Sequence, residues 1–442
     1  MTDKATEKAP TEKTTPKRKK GEEPSLAGVN LQKTIADIER GLKLKPFDAP
    51  DGTLPHVPTG SSTLDILIGG TLARDGKSAL CPGFPRRRIT EVYGPESSGK
   101  TSLCLSAIAK LQKDGGSALF LDFEHHISKK YAIDIGVDWD APTFSVIQPR
   151  TFEEGVKMMM LAIGHGVDLV VVDSVAAMVP EAEMEKKSDD PMKLGAVASL
   201  MAKIMPRMGI WLDEFPQQNK KKIEGHPGTA IVLLNQTRAL ISTSGGGGHG
   251  DAENTPGGKA LKFFASLRVR LSRIKSETIK RKDPMSGREI TIPFGNLTHV
   301  KIVKSKMDGK QNHTGQVFIR YGYGVDDYFS IIEAGVTNKL VKKGGAQYAF
   351  NGESFQGRDR LRKYLITNPK AFEALKADIL SIVISGSKAI DPDEDLTDND
   401  NLLETMNKFG VDGEEDGSPD DDLAMGAVPE EEVEDAGSDA AN

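Results

Sequence analysis

The residues best suited to chemistry form one short run, Gly94-Pro95-Glu96-Ser97-Ser98-Gly99-Lys100-Thr101-Ser102. It contains the spacing G-x-x-x-x-G-K-[ST], through Gly94, Gly99, Lys100 and Thr101. A phosphate chain needs backbone N–H groups brought close, and glycines let the backbone turn and approach. A helix beginning at Thr101 adds its positive dipole end. Lys100 supplies a mobile cation and Thr101 a hydroxyl that can ligate Mg²⁺. The surroundings fit this reading better than a chance glycine-rich turn. An apolar-alternating run, Ile89 to Tyr93, precedes the loop, and Leu103, Leu105 and Ile108 follow at helical spacing. The expected ligand is a nucleotide, ATP, with Mg²⁺ as the accompanying cation.

Three further runs read as buried strands that end in polar residues: Ser117 to Phe123, Asp168 to Asp173 and Thr229 to Gln236. Continuous β-branched and leucine runs, alternating with helical stretches such as Thr151 to Ile163, predict an α/β fold. Its sheet would be mostly parallel and covered on both faces. In such sheets function gathers at the carboxyl ends of the strands. Phosphoryl transfer to water requires charge neutralisation and a positioned water. Asp173 suits the holding of Mg²⁺ through water; capping of the next helix is the lesser alternative, and the two roles can coexist. Glu124 is the better candidate to orient and deprotonate water, with Asp122 its rival. Gln236 could sense a γ-phosphate or be an ordinary buried amide. His125 and His126 lack a third ligand at metal spacing and read as surface or supporting residues.

Composition narrows the setting. The 442 residues include two cysteines, too few for a disulfide framework or a zinc cluster. No apolar run is long enough to span a membrane, so a soluble, cytoplasmic protein is expected. The net charge of −6 conceals segregation. Residues 391–442 carry about twenty carboxylates against the single Lys408, which leaves roughly +13 on the rest. A basic body suits a polyanion whose access the acidic tail tunes, although such a tail can also serve solubility alone. Residues 1–28 are rich in Lys, Thr, Pro and Glu and are expected to be disordered. Leu31, Ile35, Ile38 and Leu42 predict an amphipathic helix, which would dock on another subunit or on its own core. The glycine-rich stretch Ser242 to Gly258 is too long for a routine connector.

Together these residues resemble the bacterial RecA strand-exchange recombinases, from about Asn30 to Gly386. The resemblance rests on Gly-Pro-Glu-Ser-Ser-Gly-Lys-Thr, Asp122-x-Glu124-His125 and Val171-Val-Asp-Ser-Val-Ala-Ala177. It continues through Asn235-Gln-x-Arg238, Gly257-Gly-x-Ala-Leu-Lys-Phe263 and Val303-Lys-Ser-Lys306, all in order. It implies a RecA-type ATPase core (59–327), preceded by a basic tail (1–28) and a polymerisation helix with its linker (29–58). A small α+β C-terminal domain that guides duplex DNA (328–388) and an acidic tail that acts as a brake (389–442) would follow. It further implies filaments on single-stranded DNA, pairing with double-stranded DNA, and single-strand-binding and filament-loading proteins as partners. Glu124 would be the catalytic carboxylate, and Gln236 would couple the γ-phosphate to DNA. Tyr131 would stack on adenine, with Tyr321 near the base. Lys304 and Lys306 would reach the γ-phosphate of the neighbouring subunit, and Phe263 would transmit nucleotide state. DNA would be held by loops around Glu185 to Ala202 and Arg238 to Gly257. By the same resemblance the DNA-contacting positions would be Lys203, Arg207, Arg238, Ile241, Gly257 and Gly258.

Several positions depart from the family pattern. Ser128 stands where an Asp usually reads the adenine amino group, and Lys259 replaces an Asn. Gly245 to Gly248 replace apolar residues. The segments 71–83, 213–228 and 276–294 read as insertions. Two rival readings are a hexameric helicase and an ATP-driven protein with no DNA role. The first expects a helical domain ahead of the core, and the second does not need a basic body.

Overall fold

The computed structural model describes residues 52–70, 73, 78–184, 195–218, 225–237, 255–283, 285–307 and 313–386. The expected polymerisation helix, Arg238, Ile241, most of the glycine-rich loop and the acidic tail lie outside these residues.

A two-strand pair, β1 (His56–Val57) with β2 (Phe84–Pro85), leads into the main sheet. That sheet contains β3 (Ile89–Gly94), β4 (Ala118–Asp122), β5 (Phe144–Ile147), β6 (Leu169–Asp173), β7 (Ala230–Gln236), β8 (Leu267–Lys282), β9 (Glu289–Ser305), β10 (His313–Arg320) and β11 (Gly324–Val325). Their order is β11-β10-β9-β8-β3-β7-β6-β4-β5. From β8 to β5 every neighbouring pair is parallel, and β9, β10 and β11 add an antiparallel wing. The expectation of a mostly parallel α/β sheet is met.

The strands are central because both faces are buried. In β6, Leu169 and Val171 enter one core while Val170 and Val172 enter the other. In β7, Val232 and Leu234 alternate in the same way with Ile231 and Leu233. The first core is roofed by the helix Lys100–Lys113, which contributes Leu103, Leu105 and Ile108. The second is roofed by the helices Phe152–Gly164 and Ala196–Gln218, through Val156, Met159, Met201, Met205 and Met208. Complete burial of a side chain of this size stabilises by roughly 1.5–3 kcal/mol, so the two-sided pattern fixes which side chains face which layer.

The C-terminal part pairs a three-stranded antiparallel sheet with three helices. The strands are β12 (Lys342–Gly344), β13 (Gln347–Phe350) and β14 (Glu353–Gln356), and the helices are Asp327–Thr337, Arg358–Thr367 and Pro369–Gly386. Its core of Ile331, Ile332, Tyr348, Leu361, Leu375 and Ile379 also takes in Ile66 from the helix Ser62–Ile68. The amide and hydroxyl of Ser62 both donate to Asp327, at 2.7 and 2.6 Å.

The segment 276–294 is a finding of the structure. β8 and β9 continue as a long antiparallel hairpin, paired from Leu267↔Ser305 to Lys282↔Glu289, well past the strands that flank them.

Beside the Ser62–Asp327 contact, Asp65 accepts the amide and hydroxyl of Thr59 at 2.9 and 2.7 Å. Burial, helped by the neighbouring charge of Asp327, nonetheless pushes its carboxyl up to about 7. The folded chain therefore keeps a proton between about pH 4 and 7 that the unfolded chain has released, and stability falls as pH rises through that window. Asp65→Asn keeps the acceptor without the charge. It is expected to remove on the order of 1–2 kcal/mol of that loss, discounted for the partial solvent access of Asp65. Urea unfolding of both proteins from about pH 4.5 to 7.5 measures it; an unchanged difference between the two ends would count against it.

Candidate nucleotide site

Register places the polar strand ends together. Gly94 is opposite Gln236 in the β3–β7 pair, and Asp122 is opposite Asp173 in the β4–β6 pair. The phosphate loop leaves β3 at Gly94, where a Cβ would lie 2.0 Å from the carbonyl oxygen of Leu271. Close packing of β8 thus demands that glycine, a requirement separate from any approach to phosphate. Gly99 caps the helix Lys100–Lys113 in the left-handed conformation, with φ 94°, which a side chain would make costly. The amides of Lys100, Thr101 and Ser102 open the first helical turn, whose N–H groups have no acceptors within the helix. Pro95, Glu96 and Ser97 are exposed at the rim, whereas Ser98 is buried and its hydroxyl has no hydrogen-bond partner among the described residues.

The side chains above this loop form two connected groups. Lys100 Nζ donates to the carbonyls of Gly94 and Pro95, at 3.1 and 2.8 Å, and burial lowers its pKa despite the nearby carboxylates. The Thr101 hydroxyl donates to Asp173 at 2.7 Å. Burial, together with the charges of Glu124 and Asp122, raises the Asp173 carboxyl to about 6. Asp173 does not cap the following turn, which begins at Ser174. Glu124 accepts the amide of Gln236 at 3.0 Å and the hydroxyl of Ser174. Asp173 and Glu124 lie near Lys100, and the Thr101 hydroxyl and Asp173 carboxylate are oxygen donors of the kind a divalent cation takes.

Asp122 is differently engaged. Its carboxylate accepts the amides of His126 and Ile127, each at 3.3 Å, and the side-chain amide of Gln148 at 3.0 Å. It secures the turn that carries Glu124. The Tyr131 hydroxyl lies 2.6 Å from Ser102 Oγ. Ser128 caps the helix Lys129–Ile135 by accepting the Tyr131 amide. Half-exposed Tyr321 donates to Asn296 at 2.8 Å, on the antiparallel wing.

The remaining sequence candidates lie elsewhere. Lys304 Nζ donates to the carbonyls of Lys262 and Phe263, at 2.7 and 2.8 Å, and Lys306 Nζ to that of Phe263 at 3.0 Å. Both cap the helix Gly258–Phe264, beside an exposed Phe263 ring, and neither touches Lys100, Thr101, Glu124 or Asp173 among the described residues. Burial, followed by the charges of Lys306 and Arg268, brings Lys304 down to about 8. Gly257 and Gly258, both at positive φ, begin that helix. Lys203 and Arg207 are exposed and one turn apart on the helix Ala196–Gln218.

Sequence reading missed Ser174 and a buried network around Glu91. Glu91 has no exposed surface. Its two oxygens take Arg268 Nε at 2.6 Å and Asn235 Nδ2 at 2.9 Å. Asn235 also donates to the Pro256 carbonyl at 2.8 Å and accepts the Gln236 amide at 3.1 Å. The available signal was a lone carboxylate in the apolar strand Ile89-Thr-Glu-Val-Tyr.

A phosphate loop on the carboxyl edge of a two-faced parallel sheet, with a threonine–aspartate pair beside it, defines a nucleotide-binding protein of the phosphate-loop α/β class. Residues 52–326 match the family model of the RecA N-terminal domain, and residues 329–383 that of the RecA C-terminal domain. Protein RecA of Clavibacter michiganensis subsp. michiganensis is 37% identical over 347 residues, covering 77% of this chain and 84% of that protein. Protein RecA of Acidothermus cellulolyticus is 36% identical, covering 83% and 96%. That of Leifsonia xyli subsp. xyli is 39% identical, covering 71% and 77%. The chain belongs to the RecA family, the DNA recombinases of recombination and repair. This assignment displaces the readings as a hexameric helicase and as an ATP-driven protein with no DNA role. Among the described residues no helix is long and apolar enough to cross a membrane.

If Asp122 is a structural tie, Asp122→Ala leaves two backbone amides and Gln148 without their acceptor. A loss on the order of 1–3 kcal/mol is expected, whereas Glu124→Gln should be nearly neutral. Urea midpoints of the two variants compare them directly, and equal midpoints would argue against this division of labour.

Proposed function

We propose that this chain hydrolyses ATP with Mg²⁺ while assembled as a helical filament on single-stranded DNA, and that the filament pairs with duplex DNA and exchanges strands. The observation that carries the proposal is the pairing of Glu124 with Gln236 beside Thr101 and Asp173. A water-activating carboxylate, an amide able to respond to a phosphate and a cation-binding pair share one strand edge.

The roles follow from chemistry. The amides from Gly99 to Ser102 and the Lys100 ammonium hold phosphate oxygens. Lys100 must first give up its bonds to Gly94 and Pro95, so its charge is available to an incoming anion. Thr101 and Asp173 hold Mg²⁺, which when bound offsets the charge of the phosphates. Glu124 takes the proton of the attacking water, and the hydrogen bonds from Gln236 and Ser174 orient it. A Gln236 side chain drawn toward a phosphate would release Glu124 and pull on the chain leading to Arg238. Tyr131 supplies an aromatic face for the base, and Tyr321 lies toward it. Ser128, committed to its helix cap, is a weaker reader of the adenine amino group than a carboxylate. Lys304 and Lys306, which among the described residues make no contact with their own phosphate loop, act on a neighbouring protomer. DNA is held by Lys203, Arg207, Arg238, Ile241, Gly257 and Gly258.

Two outcomes test this. Glu124→Gln should lower turnover by about two to four orders of magnitude while sparing ATP-dependent binding of single-stranded DNA; near-normal hydrolysis would transfer the role to Asp122. Lys304→Ala should lose DNA-stimulated hydrolysis yet retain nucleotide binding. Mixed with Lys100→Ala subunits it should recover part of the activity, because some interfaces then carry both intact halves. Mixed filaments without any recovery would refute action between protomers.

A further inference from the structure

Beyond the neighbouring strands, β8 and β9 stand alone as a two-stranded ribbon. β3 pairs with β8 only as far as Arg270, and β10 pairs with β9 only from Gly295 onward. The five outer pairs, Thr278↔Pro293 to Lys282↔Glu289, extend for roughly 17 Å. The turn at the end is built rather than loose. Asp283 accepts the amides of Met285 and Ser286, both at 3.1 Å, along with the Ser286 hydroxyl, and its own amide meets the Arg288 carbonyl at 2.8 Å.

Charge on this arm is unbalanced. Its carboxylates are all occupied: Glu277 by Lys275 and Arg358, Glu289 by Lys280, and Asp283 by its turn. Arg281, Lys282 and Arg288 are exposed, with no carboxylate partner among the described residues. Arg281 shares a face with Ile279 and Ile290, and Lys282 lies on the opposite face. Between them, at the tip, Met285 is 98% exposed.

We infer that this hairpin is a duplex-DNA-binding arm that lies in a groove, with its cations on the flanking phosphates and Met285 at the base edges. A two-stranded β-ribbon has the width of the major groove. Cations on both faces suit a groove, which offers phosphates on both sides, whereas a peptide laid along one edge would meet a single row. Exposed apolar side chains at such a tip can meet the thymine methyl groups displayed at base edges in that groove. Single-stranded DNA is disfavoured because the outer ribbon, residues 278–293, contains no aromatic ring on which bases could stack. The inference rests on the proposed DNA-pairing function and adds a contact outside the nucleotide site.

The test uses the full chain carrying Arg281→Ser, Lys282→Ser and Arg288→Ser together, and separately Met285→Ser. Among the described residues these side chains have no hydrogen-bond or ion-pair partner, so an unchanged urea midpoint is the folding control. Duplex affinity is read by fluorescence anisotropy across a salt series from about 0.05 to 0.3 M. The triple variant should bind duplex at least about tenfold more weakly at low salt, with the slope of log K against log salt shallower by about 2–3. Met285→Ser should weaken duplex binding without changing the slope. Single-stranded DNA affinity should change less than about twofold. Unchanged or tighter duplex binding by the triple variant overturns the inference, and tighter binding would point instead to an acidic segment such as 391–442 on the arm. DNA-stimulated hydrolysis by the parent protein is read from the same preparations. Its absence would fail the proposed function alone, while the duplex measurement would still decide the arm.

Discussion

A slip of one residue between β3 and β7 would turn Gln236 to the opposite face of the sheet and separate it from Glu124. The site depends on this register more than on any single bond. Alternate residues of β6 and β7 enter two different cores, so a slip would carry whole apolar sets into the wrong layer. Burial energy, distributed over many side chains, thereby positions a few polar atoms to within a hydrogen bond. The groups at the strand ends need little further support, and they get it locally: Ser174 on Glu124, and the Asp122 tie at the turn.

The Glu91 network extends this control across the sheet. A carboxylate with no solvent contact is tolerable only with its charge matched and its lone pairs occupied. Arg268 supplies the charge from β8, and Asn235 bridges from β7 to Pro256. Asn235 also precedes Gln236 in the chain, and Arg268 is opposite Lys304 in the β8–β9 pair. The edge that carries Glu124 and Gln236 and the wing that carries Lys304 and Lys306 are therefore joined through a buried, hydrogen-bonded group.

Much of this was legible in the sequence, for a physical reason. Strands buried on both faces must be apolar throughout, so the polar residue that ends each one is conspicuous: Asp122, Asp173 and Gln236 could all be read directly. Partnership was harder to read. Glu91 was visible as an oddity, but its partner Arg268 lies 177 positions away. The sequence favoured Glu124 and left Asp122 as its rival, but it could not show that the amides of His126 and Ile127 occupy Asp122. The hairpin passed as an insertion because both faces of its outer ribbon meet solvent. Burial imposes no alternation there, and Thr278-Ile-Lys-Arg-Lys282 carries none. Lys304 and Lys306 could be identified only by their motif, since spacing does not reveal that they would cap a helix.

The helix Ser62–Ile68 bears on how this protein could be divided. Its Leu64, Leu67 and Ile68 belong to the core beneath the main sheet, while Ile66 belongs to the C-terminal core and Ser62 is held by Asp327. One short helix is thus shared property, near the start of the described chain yet built into its far end. A gene fragment cut between residues 327 and 328 would leave Ile66 facing water and strip its partner layer. Grafting a relative's C-terminal part onto this core would require transplanting the matching face of that early helix as well. The seam that a reader would draw in the sequence is not the seam along which the folded protein could be exchanged.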